Sequence, residues 1–435
     1  MSNIAIGFIG LGAGMMLLLL RVQIGVALGL ISFLGIAILL NFRAAWGIIT
    51  AIPFNFVGDW NLTAIPMFLL MGFIASESGL STGLFRAMRL LLSWLPGGLA
   101  VSSVGASAVL AAASGSSVAT SSAFARIATP EMLRYRYDPG LATGVIAGAG
   151  TLGALIPPSI LMVLYGYLAE VSVAKLFAAG VLPGILPAVA FSAMIIVRVM
   201  LKPSLAPKIE EHITRADIVE AIRETWPLPV IILGVLLGIF LGAFTPTEAG
   251  AIGAALTIII AGLRRRLNWQ VLSKGIRQAL ISTASIFMVV IGTALLARFM
   301  ALSGVPSFLA DVFVQFGSSP LMVVIAISLL FLLLGCFLDS IGILLLTMPI
   351  ILPMAHEANL DLIWFGIILV KLLEIGLLTP PVGLNVYIIK GALGDRVNLT
   401  TIFKGVTWFM VVDLFVLAFL ILVPEFPLWL PNLVR

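Results

Sequence analysis

Two proline pairs, Pro157–Pro158 and Pro380–Pro381, each interrupt an apolar segment long enough to cross a bilayer, and they stand 223 residues apart. Gly153 and Gly376 keep the same offset. Proline has no N–H and collides with the preceding turn, so two in series break a helix and leave carbonyls unpaired. In hydrocarbon each unpaired carbonyl costs several kcal/mol, so such a break persists only where protein, water or an ion satisfies it. A structural kink would account for one proline. Two matching pairs, each flanked by Gly and by Ser, Thr or Asn, point instead to the binding region of a secondary transporter with an internal repeat.

The surrounding sequence is that of a membrane protein. Hydrophobic residues make up 61% of the chain and charged residues 10%, and mean hydropathy is +1.21; a soluble domain carries about 25% charged residues. Ten full spans are expected at about 4–20, 24–40, 62–78, 140–167, 174–199, 228–242, 247–262, 278–300, 362–389 and 405–424. Two further apolar stretches, about 99–128 and 320–352, are too long for one span and carry small or polar residues in the middle. Both read as re-entrant helical hairpins. The first run has no Lys or Arg before it and Arg21 after it. That is the wrong charge order for a cleavable signal peptide, so it reads as a retained span with its N-terminus outside.

Orientation follows from the basic residues. With the N-terminus outside, the inner loops hold 19 of the 24 Lys and Arg residues, and the outer loop 354–361 holds none, as the positive-inside rule requires. The net charge of +5 therefore reflects topology, not a nucleic-acid partner. Cys336 is the single cysteine, so no intrachain disulfide can form. The expected fold is an all-α polytopic membrane protein with two inverted-topology repeats, each of five spans and one re-entrant hairpin. The repeats are 1–200 and 228–435, and a cytoplasmic linker at 201–227 joins them. Five is odd, so the second half is upside down relative to the first. Weaker echoes keep nearly the same offset: Ser78-Gly79 with Ser303-Gly304, and Pro130 with Pro353. In the linker, Thr214 and Asp217 have capping-box spacing. Ile218, Ile222 and Trp226 give that helix an apolar face for the inner surface. Segments 83–95 and 267–276 look similar.

Several constellations could carry chemistry. The tip Ser114-Gly115-Ser116-Ser117, followed by Thr120, sits in a stretch, 101–128, with eight Ser and nine Ala. Close packing through small residues explains the alanines. It explains the Ser-Gly-Ser-Ser run less well, because Gly there frees carbonyls beside hydroxyls, and both are hard oxygen donors suited to Na⁺. Asp339-Ser340 occupies the second tip, where a carboxylate at membrane depth is a functional candidate; a tip reaching the outer water is the alternative. Lys371 and Glu374, one turn apart before the second break, have the spacing of a mutually neutralising pair. Thr245 or Thr247, with Glu248, reads as a helix cap. An enzyme is disfavoured: His212 and His356 lie in loops on opposite sides of the membrane. The chain has no Cys/His cluster and no phosphate-binding Gly-Lys-Ser/Thr loop.

In order along nearly the whole chain, Ser114-Gly-Ser-Ser-Val-Ala-Thr, Gly153-Ala-Leu-Ile-Pro-Pro-Ser, Phe244-Thr-Pro-Thr-Glu-Ala, Phe337-Leu-Asp-Ser and Leu378-Thr-Pro-Pro-Val-Gly-Leu-Asn resemble the large membrane subunit of tripartite ATP-independent periplasmic (TRAP) transporters. The resemblance implies an elevator mechanism and Na⁺-coupled uptake of an organic acid across a bacterial inner membrane. It also implies two partners, a small four-helix membrane subunit and a periplasmic substrate-binding protein. Some relatives fuse the small subunit to the large one; 435 residues leave no room for it, so a separate protein is expected. Carried over residue by residue, one sodium site would use Ser114, Ser116, Ser117 and Gly153. The other would use Asp339, Gly376, Thr379 and Asn385. Substrate candidates are Ser117, Thr120, Pro157, Ser159, Ser340 and Pro380. The alternatives are a stand-alone Na⁺- or H⁺-coupled carboxylate carrier of the same superfamily, and a membrane subunit that transports nothing. The sequence does not distinguish sialic acid, a C4-dicarboxylate or another organic acid as substrate.

Overall fold

A computed structural model describes residues 2–80, 82–208, 214–309 and 320–433; His212 and Arg435 lie outside the described residues. Seven helices among them are long and apolar enough to cross a membrane: Trp60–Glu77, Pro139–Leu168, Val173–Leu201, Pro246–Leu263, Trp269–Ser303, Ser340–Glu357 and Leu399–Leu422. Asn3–Leu18, Ile24–Leu39, Phe42–Val57, Gly98–Ser114 and Pro320–Gly335 are shorter apolar helices. The chain is a multi-pass membrane protein.

Ten full spans are expected from the sequence. Among the described residues seven helices reach spanning length, or eight if Ala216–Thr225 and Pro227–Phe240, bent by 41° where they meet, form one span. The count is lower because Asn3–Leu18, Ile24–Leu39 and the broken Leu362–Gly376 are too short on their own. Two individual helices also differ from the sequence expectation. Phe42–Val57 is a helix that no spanning-length apolar run announces, since Arg43, Pro53 and Asn55 interrupt its hydrophobicity. The Asn41 side chain caps it, accepting from the Ala44 amide at 2.8 Å. Segment 267–276 does not form a separate surface helix: the chain runs as one 35-residue helix from Trp269 to Ser303. No proline interrupts that stretch, so nothing ends the first turns before the apolar part begins.

Helix Pro139–Leu155 is the centre of the molecule, and residues 140–155 are all buried. Its small residues let neighbours come close. A Cβ on Gly144 would meet the backbone of Gly405 at 2.6 Å, and one on Gly148 would meet Phe409 at 2.7 Å. Helix Leu399–Leu422 therefore lies directly along it, as small-residue interfaces allow in membranes. On another face, Gly150 sits against Ser121 of helix Ser117–Arg134.

Two crossings are reciprocal. Helix Ile24–Leu39 packs along Trp269–Ser303, and Pro246–Leu263 packs along Ala64–Glu77. Gly25 is the contact point of the first, pressed on the Met288 backbone. Gly250 is the contact point of the second, against Met67 at 3.1 Å and the Ala64 carbonyl at 3.4 Å. Gly25 and Gly250 are 225 residues apart.

The linker helix Arg215–Thr225 starts in a capping box between Thr214 and Asp217. The Thr214 hydroxyl and amide hold the Asp217 carboxyl below the usual carboxylate range. The helix packs on Thr82–Leu92, where Arg86 meets Glu220 at 2.9 Å. Thr245 caps Pro246–Leu263 in a second capping box, with the Glu248 carboxylate accepting from the Thr245 amide at 2.8 Å.

Candidate functional site

Each half supplies a helix–turn–helix tip and a broken helix. The first tip joins Gly98–Ser114 to Ser117–Arg134. Gly115 makes the turn with φ of 58°, a left-handed conformation that favours glycine. Ser116 caps the second helix, its hydroxyl accepting from the Ala119 amide at 3.4 Å. The second tip joins Pro320–Gly335 to Ser340–Glu357, and there Asp339 is the cap, accepting from the Gly342 amide at 3.1 Å. Ser116 and Asp339 are again 223 residues apart. A capping side chain at such a position satisfies one of the free amides of the first turn.

The tips dock on the broken helices. The first break, 156–159, separates Pro139–Leu155 from Ile160–Leu168; the second, 377–383, separates Leu362–Gly376 from Leu384–Leu393. Pro157–Pro158 and Pro380–Pro381 are both cis. Ser117 donates to the Thr151 carbonyl at 3.3 Å, and Ser340 donates to the Leu373 carbonyl at 3.5 Å. A Cβ on Gly153 would lie 2.7 Å from the Ser116 carbonyl carbon, and one on Gly376 would lie 2.8 Å from the Gly335 Cα. Glycine at each break thus lets the tip's backbone rest on the helix. The breaks differ in exposure: Pro157, Pro158 and Ser159 are buried, whereas Pro380, Pro381 and Val382 are exposed.

A cavity of about 100 Å³ lies where the four elements converge. Its lining includes Ser116, Ser117, Asp339, Ser340, Ile160 and Leu377. A larger cavity of about 280 Å³ runs from the first tip along helix Ala64–Glu77, past Ser114, Ser116, Ser122, Arg126 and the pair Glu77–Gln278.

The sequence-derived residues separate into groups. Ser116, Ser117, Asp339 and Ser340 meet at the small cavity, and Gly153 and Gly376 hold the tips against it. Ser114 and Thr120 face each other at 3.1 Å, and Thr120 also donates to the Ser116 carbonyl at 2.9 Å, so both hydroxyls are engaged inside the first tip. Ser159 bridges its own break, donating to the Ala154 carbonyl at 2.5 Å, and caps the next helix. Thr379 donates to the Ile375 carbonyl at 2.8 Å. Pro157 and Pro380 do not line the small cavity. Asn385 is buried; its amide nitrogen donates to the Ala147 carbonyl of the first broken helix at 3.3 Å, and its Oδ1 has no hydrogen-bond partner among the described residues.

Sequence reading missed one member of the interior. Lys371 and Glu374 do pair, at 3.0 Å, but Lys371 lies closer to Asp413, at 2.6 Å. The available signal was a lone carboxylate inside an apolar span, which is a functional candidate by default.

The fold is that of known membrane transporters. The Alcanivorax borkumensis YdaH transporter superposes with a TM-score of 0.60 over 90% of this chain and 91% of its own, at 14% identity. Neisseria gonorrhoeae MtrF, described with a class of antimetabolite efflux pumps, gives 0.52 over 88% and 85%. The sequence narrows this class. Residues 11–426 match the model of the tripartite ATP-independent periplasmic transporter DctM component. The C4-dicarboxylate TRAP transporter large permease protein DctM of Pseudomonas aeruginosa is 34% identical over 86% of each chain. The Haemophilus influenzae sialic acid TRAP transporter permease protein SiaT is 31% identical over 94% of this chain and 66% of its own. The chain belongs to the DctM family of TRAP transporter large permeases.

Proposed function

We propose that this chain is the large transmembrane subunit of a TRAP transporter that takes up a small organic acid across a bacterial inner membrane, coupled to Na⁺ and working by an elevator movement. The observation that carries the reading is the convergence of two capped tips and two proline-broken helices, at one offset, on one cavity. In the inverted-repeat reading, the reciprocal crossings at Gly25 and Gly250 are the same contact made once by each half. The substrates named for relatives are C4-dicarboxylates, sialic acid and isethionate. All are small organic anions, and that is the substrate class proposed here.

The chemistry of the tips fits a small hard cation. Ser116 and Ser117 present hydroxyls beside the Thr151–Leu155 end of a broken helix, whose last carbonyls have no helical partner. Asp339 presents a carboxylate at the second tip, where it lines the small cavity together with Leu377 and Leu384 at either end of the second break. The residues that would hold sodium are therefore Ser114, Ser116, Ser117 and the Gly153 backbone in one half. In the other they are Asp339, Thr379 and the Gly376 backbone. Asn385 joins the two broken helices through its amide nitrogen and, in this reading, keeps its Oδ1 as a further oxygen for the second site. Bound sodium supplies positive charge near an anionic substrate; the protein's part is to hold oxygens at fixed tips that open to one side at a time.

A small four-helix membrane subunit and a periplasmic binding protein complete the machine in this reading. The test is uptake into proteoliposomes holding both membrane subunits. Uptake of an organic acid should need sodium and the cognate binding protein. Robust uptake without the binding protein would favour a stand-alone carrier, and no uptake under any gradient would favour a non-transporting subunit.

A further inference from the structure

Three ionisable side chains meet at the depth of the second break with no access to water. Lys371 and Glu374 come from helix Leu362–Gly376 and Asp413 from helix Leu399–Leu422, and all three are 0% exposed. Lys371 Nζ donates to Asp413 Oδ1 at 2.6 Å and to Glu374 Oε2 at 3.0 Å. The other two oxygens, Glu374 Oε1 and Asp413 Oδ2, are buried and accept no hydrogen bond from the described residues. One ammonium and two carboxylates leave a net charge of minus one if all are ionised. An uncompensated charge in such a place is strongly unfavourable.

The surrounding elements do not cancel it. Helices Pro139–Leu155 and Ile160–Leu168 bring only Tyr165 and Tyr167 as titratable groups. Pro320–Gly335 brings none. Val173–Leu201 carries Lys175 and Arg198, and Arg198 lies over the Trp408 ring at 4.4 Å. Ser340–Glu357 carries His356 and Glu357, Leu399–Leu422 also carries Lys404, and Glu425 begins the short helix Glu425–Leu428. Leu384–Leu393 carries Tyr387 and Lys390, the latter bound to the Gly394 carbonyl and to Asp395. Among the described residues none of these forms an ion pair with the triad. A metal cation would have to sit beside an ammonium that already bridges the carboxylates. A proton adds no bulk, removes the excess charge and turns an orphaned acceptor into a donor.

We propose that the triad is a proton-binding site, with Glu374 protonated, Asp413 ionised and Lys371 cationic. Glu374 takes the proton because the ammonium lies closer to Asp413. Leu155, at the end of the first broken helix, lies beside Glu374, and Gly376 follows two residues later. A backbone N–H there favours the charged carboxylate, so the assignment rests on the closer approach of the ammonium to Asp413. The proton therefore sits between the two breaks and keeps that junction electrically neutral. This assignment does not depend on the transport reading, and its test reads the carboxyl directly.

Infrared spectroscopy of the purified full chain in lipid nanodiscs at neutral pH should show the C=O stretching band of a protonated carboxyl. Glu374→Gln should abolish it and keep the wild-type melting temperature, since the amide matches the protonated acid in shape and charge. Asp413→Asn should abolish it as well, because Lys371 is then neutralised by an ionised Glu374. Lys371→Met should roughly double the band, as both carboxyls would then hold protons. A wild-type spectrum without the band, or a band that survives both Glu374→Gln and Asp413→Asn, would overturn the proposal. So would a wild-type spectrum without the band combined with sodium-dependent melting that Glu374→Gln removes, since sodium would then be the neutralising ion.

Discussion

Tyr165 donates a hydrogen bond from its hydroxyl to the Leu362 carbonyl at 2.6 Å. The bond joins the far half of the first broken helix to the first turn of the second, 197 residues later in the chain. Tyr165 is fully buried, and its ring fills the space left by Gly366, where a Cβ would touch it. The two broken helices are therefore held together at this end by a polar contact and by shape.

Tyr165→Phe keeps the ring and removes the hydroxyl. A net hydrogen bond contributes about 0.5–1.5 kcal/mol. The variant should insert normally and melt at a lower temperature in detergent. An unchanged melting temperature would show that the bond contributes nothing to the junction.

Gly153 and Gly376 should not tolerate a methyl group. The atoms a Cβ would meet, at 2.7 and 2.8 Å, belong to the backbones of Ser116 and Gly335 and cannot rotate aside. A Cβ on Gly391 would meet nothing within 4 Å. Gly153→Ala and Gly376→Ala should each lower uptake at least about tenfold, overpacking of this kind costing about 1–3 kcal/mol. Gly391→Ala, expressed to the same level, should behave as wild type. Equal uptake by all three would show that the tips do not rest on the breaks.

How far the sequence was readable follows from the range of each interaction. Gly115, Ser116, Asp339 and the Pro-Pro pairs act on their own turn or the next one, so tips and breaks were visible as local chemistry. The charge on Asp413 was visible but its partner was not: 42 residues separate it from Lys371, and only the packing of two helices brings them together. Asn385 shows the same limit. It lies next to the second break in sequence, yet its amide reaches Ala147, 238 residues away. Phe42–Val57 escaped because its apolar residues never run long enough to resemble a span. Thr120 and Ser159 were visible as hydroxyls near the site, but nothing local says whether a hydroxyl faces a cavity or closes a turn.

Topology makes a separate prediction. With the N-terminus outside, segment 354–361, the last turn of helix Ser340–Glu357 and the residues after it, faces the periplasm. Segment 264–274, ending in the first turns of helix Trp269–Ser303, faces the cytoplasm. Single cysteines placed in each segment, in a Cys336→Ser background, should react differently with an impermeant thiol reagent applied to intact spheroplasts. Labelling at 354–361 and protection at 264–274 until lysis is the expected result. Equal labelling of both would remove the proposed inverted repeat.

Sodium dependence tests the tips and breaks themselves. Ser116→Ala removes a hydroxyl that also caps helix Ser117–Arg134, and losing such a cap costs about 1 kcal/mol. A lower melting temperature alone would therefore say nothing about an ion. The informative reading is the sodium concentration for half-maximal uptake, which Ser116→Ala and Thr379→Ala should each raise while insertion stays normal. Asp339→Asn keeps an oxygen able to cap helix Ser340–Glu357 and removes only the charge, so its loss of uptake should be largely restored by added sodium. Wild-type sodium dependence in all three variants at equal expression would mean that hydroxyls and carboxylate only shape the tips, and the coupling ion would have to be sought elsewhere in the chain.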